Sequence, residues 1–329
     1  MSTQITIIGV GQIGTSVGLA LERYEGKFLR VGHDIDSGIT NKAKKMGALD
    51  KVAFNLLAAV EDADIVVMAL PVDQVRETLS LIAAELKEGV VVLDTSPVRG
   101  DPTGWADELL PKGRHYVGFT PLLSPLYLHD VTGGVDGAHA DLFDHGLFAI
   151  SATTETISAA MRTASDLAEL LKATPLFADI MEVDGYMAAL HVMPQLIAGA
   201  LSQTATGQPG WHEGRKFAGR AYAQVSSSIS NLDEPVGLAT AAVLNKQNTV
   251  RVLDGMIAEL QTLRDEIEAG DHEALEKHLQ KAREGRQQWW ADRGAANWIG
   301  ENIPKMDLAA ARPKLFGRLL PERKRPEEE

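Results

Sequence analysis

The sequence predicts an α/β fold: a mostly parallel sheet covered by helices, followed by an all-helical domain. Three observations carry this. Short β-branched runs alternate with longer helical patterns through the first half of the chain. Three glycines spaced G-x-G-x-x-G close the first of those runs. Strand-like runs stop near residue 178, and the chain from Glu182 to Trp290 reads as helices.

In chain order, QITIIGV (4–10), FLRVGHD (28–34), DIVVMAL (64–70), GVVVLD (89–94), RHYVGF (114–119) and LFAIS (147–151) read as strands. They are near-continuous apolar runs, the pattern of strands covered on both faces. QIGTSVGLALERY (12–24) and DQVRETLSLIAAEL (73–86) read as helices between them. The last two residues of RHYVGF open GFTPLLSP (118–125), where a glycine and two prolines predict a rigid turn holding Thr120. A helical pattern over about 155–172 leads into PLFADI, read as a last strand. The later helices include DGYMAALHVMPQLIAGAL and TVRVLDGMIAELQTLRDEIEAG, and Trp289 and Trp290 read as core or interface aromatics. The expected division is a sheet domain over 1–178, a helical domain over 179–300, and an extension over 301–329 with a charged, disordered end.

Composition narrows the function. The chain has 329 residues, 45% hydrophobic and 23% charged, an ordinary globular balance with room for two domains. Its formal net charge of −13 argues against nucleic acid and anionic membrane surfaces as partners. Cysteine is absent, which removes disulfides, thiolate nucleophiles and Cys-ligated zinc, and fits a reducing cytoplasm. The opening MSTQITIIGVGQIG lacks a basic leader and reads as a buried strand rather than a signal peptide. No stretch approaches the roughly 20 apolar residues of a membrane span, so a soluble, cytoplasmic protein is expected.

The glycine turn carries the first chemistry. Gly9 permits the tight turn, Gly11 lets backbone approach a pyrophosphate, and Gly14 lets helix and strand pack closely. Gln12, Ile13 and Gly14 open the helix, whose N–H groups and dipole favour an anion. Asp34 ends the second strand run 20 residues after Gly14, where a carboxylate hydrogen-bonds ribose hydroxyls and repels a 2′-phosphate. The expectation is a Rossmann-type domain binding NAD, with NADP retained as an alternative because His33 or a nearby arginine could meet a phosphate. Leu70 and Pro71, and then Thr95 and Ser96, follow two further strand runs, at the carboxyl ends where ligands bind. Asp94-Thr95-Ser96 reads equally as a helix-capping turn.

Taken together, IIGVGQIGTSVGLAL, VGHD, ADIVVMALPVDQV, LDTSPVRG, HYVGFTPLLSP and HADLFDHGLFAIS resemble the prephenate/arogenate dehydrogenases of tyrosine biosynthesis. MEVDGYMAALHVMPQLIAGAL and DEPVGLATAAVLNKQNTVRVLDGM resemble helices of that family's second domain, and the likeness runs to about residue 290. The resemblance implies NAD(P)-dependent oxidation of a cyclohexadienyl carboxylate with loss of its ring carboxylate. It also implies a homodimer formed through the helical domain. In the family a histidine after the HYVGF-like strand hydrogen-bonds the reacting hydroxyl, a serine supports it, and an arginine binds a substrate carboxylate.

Three positions depart from that pattern. Thr120 stands at the histidine position, and a threonine hydroxyl is no base near neutral pH. Ser96 falls one residue early, with Pro97 where the family has serine, and AYAQVSSSISNLDEP lacks the family's threonine-arginine pair. The catalytic candidates are therefore Thr120, Ser96 and His191, with Thr120 also a substrate contact. His191 shares a predicted helix face with Asp184, Ala188 and Gln195, and reads either as a proton acceptor or as a hydrogen-bonded core histidine. Arg220, with Arg215 nearby, is the candidate for a substrate carboxylate, or an ordinary surface arginine. The loop LHDVTGGVDGAHADLFDHG collects His129, Asp130, His139, Asp141 and His145, but in no helix- or hairpin-based ligand spacing, so no metal is expected. Two rival functions stand beside the family one: a dehydrogenase of another small carboxylate, and a non-catalytic NAD-binding protein.

Overall fold

The computed structural model describes residues 2–154, 156–231 and 233–296; the extension over 301–329 and its expected disorder lie outside them. One sheet contains β1 (Thr3–Ile8), β2 (Phe28–His33), β3 (Lys51–Val52), β4 (Ile65–Met68), β5 (Val91–Asp94), β6 (His115–Leu122), β7 (Leu147–Ser151) and β8 (Thr174–Phe177). The spatial order is β3-β2-β1-β4-β5-β6-β7-β8. Every neighbouring pair is parallel except β6 and β7. The chain winds outward in opposite directions from β1 and β4, so a crevice opens at their carboxyl ends.

Both sheet faces are buried, as the apolar runs require. Ile5, Ile7, Val67, Leu93 and Phe119 point into one core with α1 (Gln12–Glu22) and α6 (Ser158–Leu170). Ile8, Val66, Met68, Val92 and Tyr116 point into the other with α4 (Val72–Ile82) and α5 (Gly100–Leu109), which follow α2 (Ser37–Lys45) and α3 (Leu56–Val60). Each fully buried aliphatic side chain stabilises the fold by about 1.5–3 kcal/mol. The two-residue β3 went unpredicted because it is too short to show a period.

The GFTPLLSP segment corrects the sequence reading. It is not a turn: β6 runs on through Thr120 and Pro121 to Leu122, with Thr120 opposite Ala149 and Pro121 opposite Phe148 of β7. Proline is tolerated because β5 stops pairing at Gly118, so beyond it β6 is bonded on one side only.

After β8 every described element is helical. α7 (Ile180–Met187), a π-helical turn (Ala188–Val192) and α8 (Met193–Thr206) form one broken rod. Short helices α9 (Trp211–Gly214), α10 (Arg220–Ser226) and α11 (Ser228–Asn231) lead to α12 (Pro235–Leu244). A long hairpin of α13 (Lys246–Ala269) and α14 (His272–Ala295) follows. Gly270, at φ +64°, closes α13, and the Asp271 carboxylate accepts from Ala274 N (3.0 Å) to cap α14. The helical half seats on the sheet through Val192, Leu238 and Ala241, which pack on Val72 and Val98 just past the carboxyl ends of β4 and β5. No helix among the described residues is long and apolar enough to cross a membrane.

One polar clamp holds the outer end of the sheet. Arg30 of β2 donates through Nε and Nη2 to Asp50 (3.0 and 2.7 Å) and through Nη1 to the Gly18 and Gly47 carbonyls (3.0 and 2.8 Å). It thereby joins β2, α1 and the end of α2. The Arg30 hydrogen bond outweighs partial burial and holds the Asp50 carboxyl below its ordinary value of 3.8. A depressed carboxylate stabilises the fold above its unfolded pKa and loses that contribution as pH falls through the folded one. Asp50→Asn is expected to cost about 1–2 kcal/mol in urea unfolding at pH 7, the lower part of the range for a charged hydrogen bond because water reaches the carboxylate. The difference from the parent is expected to close below pH 3.8; a gap unchanged in acid would remove the clamp from the stability of this edge.

Candidate active site

The glycine turn lies between β1 and α1. Gly9 has φ +84°, and a Cβ there would stand 2.4 Å from the Ala69 carbonyl oxygen. A Cβ at Gly14 would stand 2.0 Å from the Gly9 carbonyl oxygen. Backbone touches backbone at both places, so neither tolerates a side chain. Gly11 differs: a Cβ there would meet nothing within 4 Å. Its surroundings are an open shelf of main chain. No side chain caps α1 and its first turn holds no acid, so its N–H groups and positive dipole end face that shelf.

Asp34 stands beside the turn, fixed by Val10 N and Asp36 N, which donate to its two oxygens at 3.0 Å each. The remaining lone pairs suit ribose hydroxyls. His33 is turned inward with Nδ1 on the Ala53 carbonyl (2.9 Å). The shelf, the uncapped helix and the carboxylate fit a dinucleotide.

The other positions expected at this site fall into two groups. Leu70, exposed Pro71 and Thr95 stand at the carboxyl ends of β4 and β5; Thr95 N and Oγ1 both donate to the Met68 carbonyl (3.0 and 3.2 Å). Gln12 and Ile13 turn their side chains elsewhere. Gln12 Nε2 donates to the Gly137 and Thr132 carbonyls (2.8 and 3.3 Å), and Ile13 packs on the core, leaving their backbone N–H groups toward the shelf.

Past β5 lies a buried polar knot that sequence reasoning missed. Asp94 Oδ2 accepts from Ser96 Oγ (2.8 Å), Arg99 Nη2 (3.0 Å) and the Tyr116 hydroxyl, and Oδ1 accepts from Ser96 N (2.9 Å). Arg99, fully buried, also donates to the Asp94 carbonyl (2.9 Å) and to Ser96 Oγ and carbonyl. It lies flat against β6 where a Cβ at Gly118 would come within 2.7 Å of its guanidinium. Burial, then the Asp94 charge, push the Tyr116 phenol well above its ordinary range, so it stays a donor. Thr120, 2% exposed, donates to the Ser96 carbonyl (3.3 Å). Ser96 and Thr120 are thus brought together, but within this knot. The only sequence signal was D-T-S-P-V-R, two charges five residues apart beside a strand end.

The helical half covers this knot. The Asp184 carboxylate of α7 accepts from Arg99 N (2.7 Å) and Gly100 N (3.0 Å) and so holds the amino end of α5. Burial raises its pKa against those two bonds. The single helix face expected for Asp184, Ala188, His191 and Gln195 is broken by the π-helical turn. Asp184 serves the sheet half, whereas His191 and Gln195 converge on Asp233. His191 Nε2 lies 2.7 Å and Gln195 Nε2 2.9 Å from Asp233 Oδ2, and Asp233 N donates to Gln195 Oε1 (3.2 Å). Burial opposes ionisation of Asp233, but the His191 and Gln195 bonds win and its carboxyl sits below the usual range. Arg220 is exposed at the first position of α10, which packs against α8 and α11.

The histidine-containing loop after β6 is packed against α1. His139 N donates to Ser16 Oγ (3.0 Å), Arg23 donates to the Ala140 carbonyl (3.0 Å), and Tyr127 donates to Asp141 (2.6 Å). His129 meets Trp290 of α14 with ring centroids 4.9 Å apart, and Arg293 donates to the Leu122 carbonyl at the end of β6 (3.1 Å). Trp289 and Trp290 remain partly exposed beneath the Arg286 guanidinium.

Residues 17–176 match the family described as prephenate dehydrogenase, nucleotide-binding domain, and residues 181–281 match its dimerization domain. The first match begins beyond the glycine turn, whose reading therefore rests on its own geometry. Prephenate dehydrogenase of Bacillus subtilis is 25% identical over 292 residues, 87% of this chain and 76% of the relative. Cyclohexadienyl dehydrogenase of Zymomonas mobilis is 25% identical over 291 residues, 86% and 94% of the two chains. Prephenate dehydrogenase from Aquifex aeolicus, solved with hydroxyphenyl propionate and NAD+, shares the fold with a TM-score of 0.77 at 22% identity, covering 88% of this chain and 98% of that one. Synechocystis arogenate dehydrogenase gives a TM-score of 0.68 at 19% identity over 87% and 100%.

The three glycines separate shape from binding. Gly14→Ala drives a methyl into backbone and is expected to cost ~3 kcal/mol or more. Gly11→Ala is expected to stay within about 1 kcal/mol of the parent in thermal unfolding while weakening NADH binding measured by fluorescence. Equal loss of stability in both variants would sink the assignment of Gly11 to an open shelf.

Proposed function

Because this chain belongs to the prephenate dehydrogenase family, we propose that it is an NAD-dependent dehydrogenase that oxidatively decarboxylates a cyclohexadienyl carboxylate, prephenate or arogenate, in tyrosine biosynthesis. The observation that carries the reading is the open main-chain shelf at Gly11 with Asp34 fixed beside it. Bound there, NAD supplies a hydride acceptor. The chain's own residues do the rest. N–H groups of residues 11–14 hold the pyrophosphate, and Asp34 holds the adenosine ribose and disfavours a 2′-phosphate. Leu70, Pro71 and Thr95 flank the nicotinamide end. Ser96 and Thr120 act by position: their mutual bond and the Asp94 knot fix the strand ends that carry the pocket. Arg220 is the arginine proposed for a substrate carboxylate.

The division between the nucleotide-binding and helical halves is placed at residue 178. The helical half leaves Val243, Val250, Ile257, Leu260, Ile267 and Leu279 exposed, an apolar set suited to a second copy of the chain. That supports a homodimer, and the absence of cysteine fits our placing it in a reducing cytoplasm.

One observation favours a second reading. Thr120, at the position of the family's histidine, has its hydroxyl inside the strand pair, which suits a pocket reshaped for another small carboxylate. Purified protein with NAD+ and either prephenate or arogenate is expected to produce NADH. Turnover only on other hydroxy acids would establish the second reading, and no turnover with intact NADH binding would leave a nucleotide-binding protein without this chemistry. Asp34→Asn is expected to weaken NAD+ binding about tenfold or more, as loss of a charged hydrogen bond does, and to narrow the preference over NADP+ in calorimetric titration.

A further inference from the structure

We infer that His191, oriented by Asp233, is the proton acceptor for the substrate hydroxyl, in place of the histidine absent at position 120. The inference rests on the cyclohexadienyl dehydrogenase reading above. Oxidising the carbon that bears the hydroxyl needs a group to take the hydroxyl proton. The polar groups of the buried knot are committed elsewhere. Thr120 donates to the Ser96 carbonyl, Ser96 Oγ donates to Asp94, and the two Asp184 oxygens accept from Arg99 N and Gly100 N.

His191 is placed differently. Its neighbour Val192 is buried against Val72 and Val98, so the π-helical turn lies over the carboxyl ends of β4 and β5. The His191 side chain is 29% exposed and held at one ring nitrogen. The held side is Nε2, which lies on Asp233 Oδ2, and Gln195, itself fully buried, pins that carboxylate by donating to it and accepting from its backbone. An ionised Asp233 can only accept, so it selects the tautomer with the proton on Nε2 and a lone pair on Nδ1. Nδ1 carries no hydrogen bond among the described residues. The π turn ends at Val192, two residues before Pro194, which cannot donate, and the Gln195 side-chain amide also donates to the His191 carbonyl (3.1 Å).

The step balances without a further reactant. The hydroxyl O–H bond breaks and its proton goes to His191 Nδ1, while the carbon–oxygen bond becomes a carbonyl as two electrons leave that carbon with the hydride. Loss of the ring carboxylate as carbon dioxide returns an electron pair through the ring to the oxygen. The resulting phenolate takes the proton back from His191, so the imidazole ends neutral. Asp233 is a positioning residue, since it acts through the imidazole.

Two readouts test this. In ¹⁵N NMR of labelled protein at pH 8, the His191 ring, assigned by its loss in His191→Gln, is expected to show a protonated Nε2 and an unprotonated Nδ1. In turnover on the substrate the parent oxidises, His191→Ala is expected to lower kcat by about 10²–10³-fold, with imidazole in the assay restoring at least about tenfold. Calorimetric binding of 3-(4-hydroxyphenyl)propionate is expected to hold within about threefold. Asp233→Asn is expected to lower kcat by about tenfold or more, with no imidazole rescue and with the ring tautomer disturbed. A protonated Nδ1 in the parent, turnover of His191→Ala within about threefold of the parent, or a loss that imidazole does not relieve would each overturn the assignment. A parent that oxidises neither prephenate nor arogenate fails the function reading itself, and this inference falls with it.

Discussion

A guanidinium sealed from water is the constraint on which the middle of this molecule depends. Arg99 is among the largest fully buried side chains. Removing a cation from water costs several kcal/mol unless a charge and enough acceptors surround it. Asp94 supplies the charge, and the Asp94 and Ser96 carbonyls with Ser96 Oγ supply acceptors. That need dictates much around it. β6 must carry a glycine at 118 so the guanidinium can lie against it, and Tyr116 must remain protonated to share the carboxylate. Because Arg99 also gives its backbone N–H to Asp184, the same residue couples the sheet to the helical half. The polar knot at the end of β5 and the domain junction are one structure.

What the sequence disclosed followed from how local each signal is. Buried parallel strands advertise themselves as unbroken apolar runs, so seven of the eight strands among the described residues were legible and only the two-residue β3 was not. The glycine turn was legible because steric need at Gly9 and Gly14 acts within a few residues or one strand away. GFTPLLSP misled because proline usually ends a strand. Its legality here depends on where β5 stops, which is a fact about another segment. Asp233 and Gln195 were invisible as a pair because 38 residues separate them and no periodic pattern links the two segments. Arg220, chosen for nearness in sequence to the family motif, stands exposed at the start of α10.

The contrast between the two halves of the site is one of tolerance. The proposed nucleotide end is made of main chain apart from the Asp34 carboxylate, so it tolerates most other changes of side chain that respect the glycines. The proposed substrate end depends on side chains of β5, β6 and the broken rod of helices, where a single replacement alters the donor set. Thr120 shows the result. Its hydroxyl satisfies the Ser96 carbonyl, a structural use, while His191 and Asp233 pair within the helical half.

The π-helical turn at Ala188–Val192 has a consequence for how the rod could diversify. It holds one more residue than an α-helical turn would, but spends it within a single widened turn, so α8 keeps nearly the face an unbroken helix would give. Removing a single codon there would close the turn to α-helical width, leaving α7 on the α5 terminus and α8 on its present face. A lineage carrying this bulge can therefore lose or regain one protruding position by a single triplet, without disturbing the helices on either side.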